Sequence, residues 1–474
     1  MTSRSPVRRL ALGALAAGLL AAALPATVPA ATTGAVEPVS ISLPPGIFTE
    51  IPPEIVPGGL RLSYYLTTER SARCDVPGDM TPVSGRPVDC QAPGRSVPQG
   101  AADYLASPPG RMPSGRAHRR SYFGIFSADQ TPAVGGTATL VAATHGENKN
   151  VRRSGLTYPN SIYRGVDAEA PPRGKCLSGP DAAGIYRDCD AGYSTFVGTA
   201  VAPVDAASNW GLTMPVDQGP AVWPIGGYSA VGGLFRLSHG VRHPSIVTGG
   251  DGYLYMFYYD SGLEPGGVRE GFRVARAPVG QRGRGWKTWV QSRGEWIDSL
   301  PREQRGPGTR PEALPRRSPA AASTELFPSG STVMTVARVA GRRGFVAIDQ
   351  GPVAGQDCRA ASGRLEERSA TRLRVSPDGV RWSAPVELSG PDFDGCDFFT
   401  SSRLTYPRFM NLQGTSTKEV ALDDFFLLGT QYGGRVWRVR VKAPELAAQL
   451  PVSLGNPIPL PDRPAVSAVP ADGG

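Results

Sequence analysis

Three stretches of this chain run through alternating or aromatic residues and then reach an acid: Ala143-Thr144-His145-Gly146-Glu147, Phe257-Tyr258-Tyr259-Asp260 and Val346-Ala347-Ile348-Asp349. Two others open a strand-like segment just before proline: Arg242-His243-Pro244-Ser245-Ile246 and Thr405-Tyr406-Pro407-Arg408-Phe409. Gln431 stands where a fourth acid would fall. Two carboxyl groups in one pocket can divide acid–base work, one protonating a leaving oxygen and the other acting as base or nucleophile. At a glycosidic bond, separations of ~5–5.5 Å or ~6.5–9.5 Å distinguish retention from inversion. Aromatic and arginine neighbours suit stacking on a sugar or holding an acidic one. Glu147 is therefore the leading acid candidate, with Asp260 and Asp349 as base or tuning partners. His145, Arg242, His243, Tyr406, Arg408 and Gln431 are the binding candidates. His145 lies two residues before Glu147, so a continuous strand turns both to one side. Plainer readings stand beside these: Glu147 as an acceptor in a polar loop, Asp260 and Asp349 as strand-ending turn residues, and His243 as a structural histidine.

Such residues can meet only if the elements carrying them are arranged in a circle. In an antiparallel sheet the start of one strand and the end of the next share an edge, and a ring of sheets gathers those edges around its channel. The chain supplies the repeats. Phe196 to Trp210, Phe272 to Trp286 and Leu373 to Trp382 each read as strand, turn and tryptophan-bearing strand. Asp378-Gly379 between alternating segments is the strongest hairpin signal, because both residues tolerate positive φ. The three tryptophans read as core or packing residues. Their spacings, 76 and 96 residues, exceed the roughly 40–50 of regular propeller repeats, so any propeller has lengthened loops. Strands are expected over Thr137–Thr144, Tyr253–Tyr259, Val333–Val339, Phe345–Asp349, Ala421–Gly429 and Arg435–Val441. With 59 Gly and 47 Pro, long helices are hard to sustain; Pro444–Leu450 is the amphipathic exception. Blades are expected at about 119–222, 239–297, 321–390 and 401–442. The last lacks a fourth strand, and Leu60–Leu66 is the candidate to close the ring. A fifth blade would have to come from 60–118.

A family resemblance rests on two phrases. His243-Pro244-Ser245-Ile246-Val247 followed by Asp251-Gly252-Tyr253-Leu254-Tyr255-Met256-Phe257-Tyr258-Tyr259 resembles the inner strands of five-bladed β-propeller glycoside hydrolases of the family-43 type. Ser376–Ser383 resembles the Asp-box turn of sialidase-like propellers. The resemblance implies an all-β, five-bladed propeller and action on an extracellular oligo- or polysaccharide. That family carries an Asp before the first inner-strand proline, where this chain has His243 or Tyr406, so its catalytic set is not transferred. A non-catalytic propeller binding a glycan, a cell-wall component or a protein is the alternative.

Arg4, Arg8 and Arg9, the apolar run Leu10 to Leu24 and the small-residue site Val28-Pro29-Ala30 read as a signal peptide over 1–30, so the protein is expected outside the cell. The apolar run is shorter than the ~20 residues of a spanning helix, and no membrane span is expected after cleavage. Residues 31–58 read as a flexible leader, 59–443 as the propeller and 444–474 as a Pro-rich disordered tail. Cys74, Cys90, Cys176, Cys189, Cys358 and Cys396 are even in number, which in an exported chain favours disulfides. Pairing of sequential neighbours would staple the loop insertions. Setting aside Arg4, Arg8 and Arg9 takes the charge from +9 to +6, a mild excess spread over Arg-rich loops with no compact basic and aromatic stripe, which argues against nucleic acid. No G-x-S-x-G, Walker or HExxH motif occurs. No cofactor is expected, with a structural Ca²⁺ in the channel left open.

Overall fold

The computed structural model describes residues between 31 and 452; residues 1–30, 96–121, 149–192, 204–220, 223–237, 300–324 and 453–474 and several shorter loops lie outside it. The described chain is nearly all strand, with a 3-10 turn at Val279–Gln281 and one helix, Pro444–Ala448, where the amphipathic exception was expected. No helix among the described residues is long and apolar enough to cross a membrane.

Ile51–Gly58, Arg61–Thr67, Ala72–Pro77 and Gly94–Arg95 form one antiparallel sheet. Tyr122–Val134, Thr137–Asn148 and Tyr193–Pro203 form a meander. Ser238–Thr248, Tyr253–Asp260, Gly271–Pro278, Lys287–Val290 and Glu295–Asp298 form another. A short parallel contact of Tyr193–Thr195 with Ser238–Gly240 joins those two. Val333–Val339, Phe345–Arg359, Leu365–Ser376 and Val386–Leu388 follow. Thr405–Met410, Phe425–Gln431 and Arg435–Lys442 make the last sheet.

The first strands of these units touch in a closed circuit. Tyr122–Val134 meets Ser238–Thr248, which meets Val333–Val339, then Thr405–Met410, then Ile51–Gly58, which returns to Tyr122–Val134. Sheets radiating from such a circuit give a propeller-like arrangement.

Each sheet is sandwiched between neighbours, and the strand sequences reflect it. In Tyr253–Asp260, side chains alternate across the sheet, yet both faces are apolar. Leu254, Met256 and Tyr258 pack with Val141, Val197 and Trp286. Tyr255, Phe257 and Tyr259 pack with Val336, Phe345 and Phe327. Each such side chain contributes about 1.5–3 kcal/mol by leaving water. A third layer, including Ile348, Leu373, Phe409 and Val439, joins the last two sheets, and a fourth, with Ile55, Tyr64, Met410 and Leu428, returns to the 51–95 sheet.

The strand that completes the last sheet is Thr32–Pro38, paired with Arg435–Lys442, and not Leu60–Leu66. Arg61–Thr67 is instead an inner member of the 51–95 sheet. Thr32–Pro38 is an edge strand whose residues are mostly exposed, so it carries none of the hydrophobic alternation that marks a buried strand. Strands therefore occupy part of the stretch expected as a leader.

The Ser376–Ser383 turn is built as its residues suggest. Asp378 Oδ1 accepts the N–H groups of Val380 at 3.0 Å and Arg381 at 2.9 Å. The Ser376 hydroxyl accepts Gly379 N–H at 2.8 Å, and Gly379 takes φ = 79°, where a side chain would be strained. Trp382 Nε1 donates to the Gly379 carbonyl at 3.2 Å. Trp286 repeats the last feature, donating to Gly283 O at 2.7 Å. Trp286 packs in the layer against the preceding meander, and Trp382 does the same one layer on. The Trp210 copy lies outside the described residues. Cys74 and Cys90 form a disulfide, as sequential pairing predicts. Cys358 is also disulfide-bonded; Cys176, Cys189 and Cys396 lie outside the described residues.

Candidate functional site

Four of the first strands slip register near their starts: between Ile51 and Glu54, Ile125 and Ser127, Arg242 and Ser245, and Thr405 and Arg408. Pro52, Pro53, Pro244 and Pro407 fall in three of these breaks. Proline lacks the N–H that a ladder needs, so a bulge is where an inner strand can hold one. Bulges also re-aim side chains. Here they turn rings from three sheets onto one spot. Phe126 lies 4.8 Å from His145 and 5.7 Å from His243, centroid to centroid. His145 and His243 are 5.8 Å apart, and Tyr406 meets His243 edge-on at 5.9 Å. Ile51 packs with Phe126 and Tyr406, which brings in a fourth sheet.

Two of these ring-bearing residues are strained. His243 has φ = 50° and Tyr406 φ = 54°; among the described non-glycine residues only Arg282 shares this region. Both precede proline at the same place in their strands. Residues held there cost about 1–3 kcal/mol each and cluster at functional sites. Gln350, from the remaining sheet at Phe345–Arg359, supports the bend: its Oε1 accepts Tyr406 N–H at 3.2 Å and its Nε2 donates to Leu404 O at 2.9 Å. All the radiating sheets thus contribute to this ring cluster. His145 is buried at 1 % exposure, Tyr406 is 8 % exposed and His243 is half-buried.

The expected acids are placed differently from one another. Asp349 is fully buried and accepts from Arg372 Nε and Arg374 Nε, both at 2.9 Å. Asp260, also buried, lies 3.7 Å from Arg273 Nε. Tyr258 and Asp260 share one face of their strand and Ala347 and Asp349 one face of theirs, so the two carboxylates enter different inter-sheet layers. It is Gln350, one residue past Asp349, that alternation turns towards Tyr406. Glu147 pairs in register with Tyr122 and Thr195, and Gln431 with Arg435; their side chains lie outside the described residues. The Arg242 guanidinium lies over Tyr259 at 4.7 Å.

The sequence reading missed Glu325. A Cβ on Gly271 would fall 2.5 Å from its Cγ, so the glycine makes room for it beside the Asp260 strand end. Burial raises its carboxyl above its ordinary value, with Arg273 acting against that. Its Oε1 is buried without a hydrogen-bond partner.

Behind the rings, the axis is filled by charge. Glu54 pairs with Arg408 and lies 3.1 Å from Lys418 Nζ. Arg408 also donates to the Phe126 carbonyl, and Lys418 donates to Ser127 Oγ at 2.7 Å. Asp129 pairs with Arg338 at 3.1 Å and accepts Thr248 N–H at 2.6 Å. Burial pushes the Glu54 carboxyl up, but Arg408, Lys418 and Thr417 outweigh it and hold it below its ordinary value. Burial pulls the Lys418 ammonium down despite Glu54. Arg408, expected to bind substrate, is thereby engaged in positioning Phe126. None of this network is marked by a local motif. Among the described residues no group of three or more His, Cys, Asp or Glu could hold a metal ion.

By its sheets the chain is a propeller-like all-β protein. No family model and no curated protein matches it. Solved structures overlap it weakly. An N-acetylgalactosamine deacetylase from F. plautii, in complex with blood group B trisaccharide, has 14% identity and a TM-score of 0.37 over 85% of this chain and 94% of that one. The GH93 α-L-arabinofuranosidase of Fusarium graminearum with arabinobiose has 11% identity and a TM-score of 0.36 over 88% and 99%. A structure from the GH130 family of mannoside phosphorylases, which contains hydrolases targeting β-1,2 mannosidic linkages in Candida mannan, has 12% identity and a TM-score of 0.34 over 84% and 85%. The fold rests on the sheets themselves.

Proposed function

We propose that this chain is an exported, carbohydrate-active propeller that takes a glycan at the mouth formed by Phe126, His145, His243 and Tyr406. The observation that carries the reading is the convergence of these rings on two strained pre-proline residues. Aromatic faces stack on sugar rings, and backbone strain persists where a site needs a fixed geometry. The circuit of five first strands supports five blades. The Cys74–Cys90 disulfide agrees with an oxidising compartment, as does the signal-like segment 1–30.

In the hydrolytic form of this reading Glu147 is the general acid, two residues beyond His145 in the same strand. Asp260 and Asp349, held by arginines, tune the site from the layers beside it. Their engagement also favours a second reading, glycan binding without turnover. Screening the purified protein against neutral and acidic glycans, with binding and chain cleavage scored separately, tests both. Cleavage lost in Glu147→Gln supports hydrolysis, binding without cleavage supports the second reading, and no interaction with any glycan sinks both.

A further inference from the structure

Resting on the glycan reading, we propose that the mouth cleaves uronic-acid-containing polysaccharide by β-elimination, with His243 as base and Tyr406 as acid.

Elimination requires a base for the proton on C5 beside the uronate carboxyl, an acid for the leaving oxygen on C4, and a cation to quench the carboxylate. The mouth offers those chemical types. His243 is half-buried and meets the Tyr406 ring edge-on at 5.9 Å, a spacing that lets one group address C5 and the other the C4 oxygen of a single sugar. Their backbones share one strained conformation at equivalent strand positions. Arg242, the residue before His243, brings a guanidinium to the same strand start over Tyr259, and guanidinium pairs well with a carboxylate. His145, buried behind and 5.8 Å from His243, is a positioning residue. Asp260, Asp349 and Glu54 are each held by arginine, which favours a carboxylate that is already committed.

In the step itself the His243 imidazole takes the C5 proton, and the C5–H electron pair becomes the C4=C5 double bond. The C4–O bond breaks and the departing oxygen takes the Tyr406 phenolic proton. Solvent then returns a proton from His243 to Tyr406. The products are one chain with a free hydroxyl and one with an unsaturated uronate end, and neither water nor a redox partner is consumed.

The test incubates the full protein with polygalacturonate, alginate, hyaluronan and neutral polysaccharides. Ultraviolet absorbance of the conjugated product and reducing ends are followed together. Both signals rising on an acidic glycan is the expected result. Tyr406→Phe, which keeps the ring, should lower the rate roughly 100-fold or more, the usual scale of a lost acid or base, with the melting temperature and glycan affinity retained. His243→Gln, which removes a ring from the site, should lower the rate to a similar extent with the melting temperature retained. Reducing ends without absorbance would overturn elimination and leave the glycan reading standing. Action on neutral glycans alone would overturn the substrate class. Full elimination activity in Tyr406→Phe would overturn the assignment of the acid, and no binding to any polysaccharide would remove the glycan reading with it.

Discussion

Lys418 Nζ lies 3.1 Å from Glu54 Oε1 at the axis of the ring, and both side chains are buried. Arg408 pairs with the same carboxylate, so Glu54 balances two cations out of reach of water. Removing one partner of a buried pair is far more damaging than the pair's net worth, about 3–5 kcal/mol. Glu54→Gln should destabilise the fold by that order in denaturant melts. A variant as stable as the parent would mean that water reaches the axis.

The same carboxyl sets an acid limit. Its value in the fold lies below the ordinary 4.5, so the unfolded chain binds its proton first as pH falls. The stabilisation from Glu54 is therefore complete above that ordinary value and is lost as pH drops through the lower, folded one. Melting temperature plotted against pH should fall in that window for the parent, and by less for Glu54→Gln. Parallel curves would remove Glu54 from the acid response.

Deleting residues through Pro38 would bare the Arg435–Lys442 edge and strip the Glu37–Arg438 ion pair from it. Open edges recruit other chains. Light scattering and size-exclusion chromatography should then show association that the full chain lacks, and a truncated protein that stays monodisperse would contradict the closing role.

Asp378 should behave as a turn residue. Asp378→Ala leaves the Val380 and Arg381 N–H groups without their acceptor, a loss of roughly 1–3 kcal/mol for hydrogen bonds to a charged group. The drop should appear in thermal unfolding, with glycan affinity unchanged because the turn packs beside Trp382 in an inter-sheet layer.

The Cys74–Cys90 bridge spans a separation of 16 residues. Replacing both with Ser should cost about 3 kcal/mol on the loop-entropy scale. Chemical denaturation of the double variant measures it, and no change would mean that the 51–95 sheet holds that loop unaided.

What could be read from the chain was what is local. The Ser376–Ser383 turn is written in consecutive residues, and so are strands such as Tyr253–Asp260, whose two apolar faces make a continuous run. His243 and Tyr406 were legible as strand openings because proline follows each, but their positive φ was not. Asp260 and Asp349 were legible as strand ends. Their partners sit on the next strand at Arg273, Arg372 and Arg374, and the Arg372-Leu373-Arg374 spacing was an available sign that one face there is charged. Glu54 and Lys418 gave no such sign, because their pairing exists only once the ring is complete. The closing strand failed to announce itself for a related reason: an exposed edge needs little apolar patterning.

That first strand is joined to the last across a gap of 401 residues, the separation of Glu37 from Arg438. A growing chain can assemble its middle sheets from neighbours, but this seam must wait until nearly all of the polypeptide has emerged. The entropy of closing so large a loop rises only with the logarithm of its length, while the delay it imposes on folding does not shrink. Until then the Arg435–Lys442 edge stays open, and once the seam forms, Thr32–Pro38 covers it.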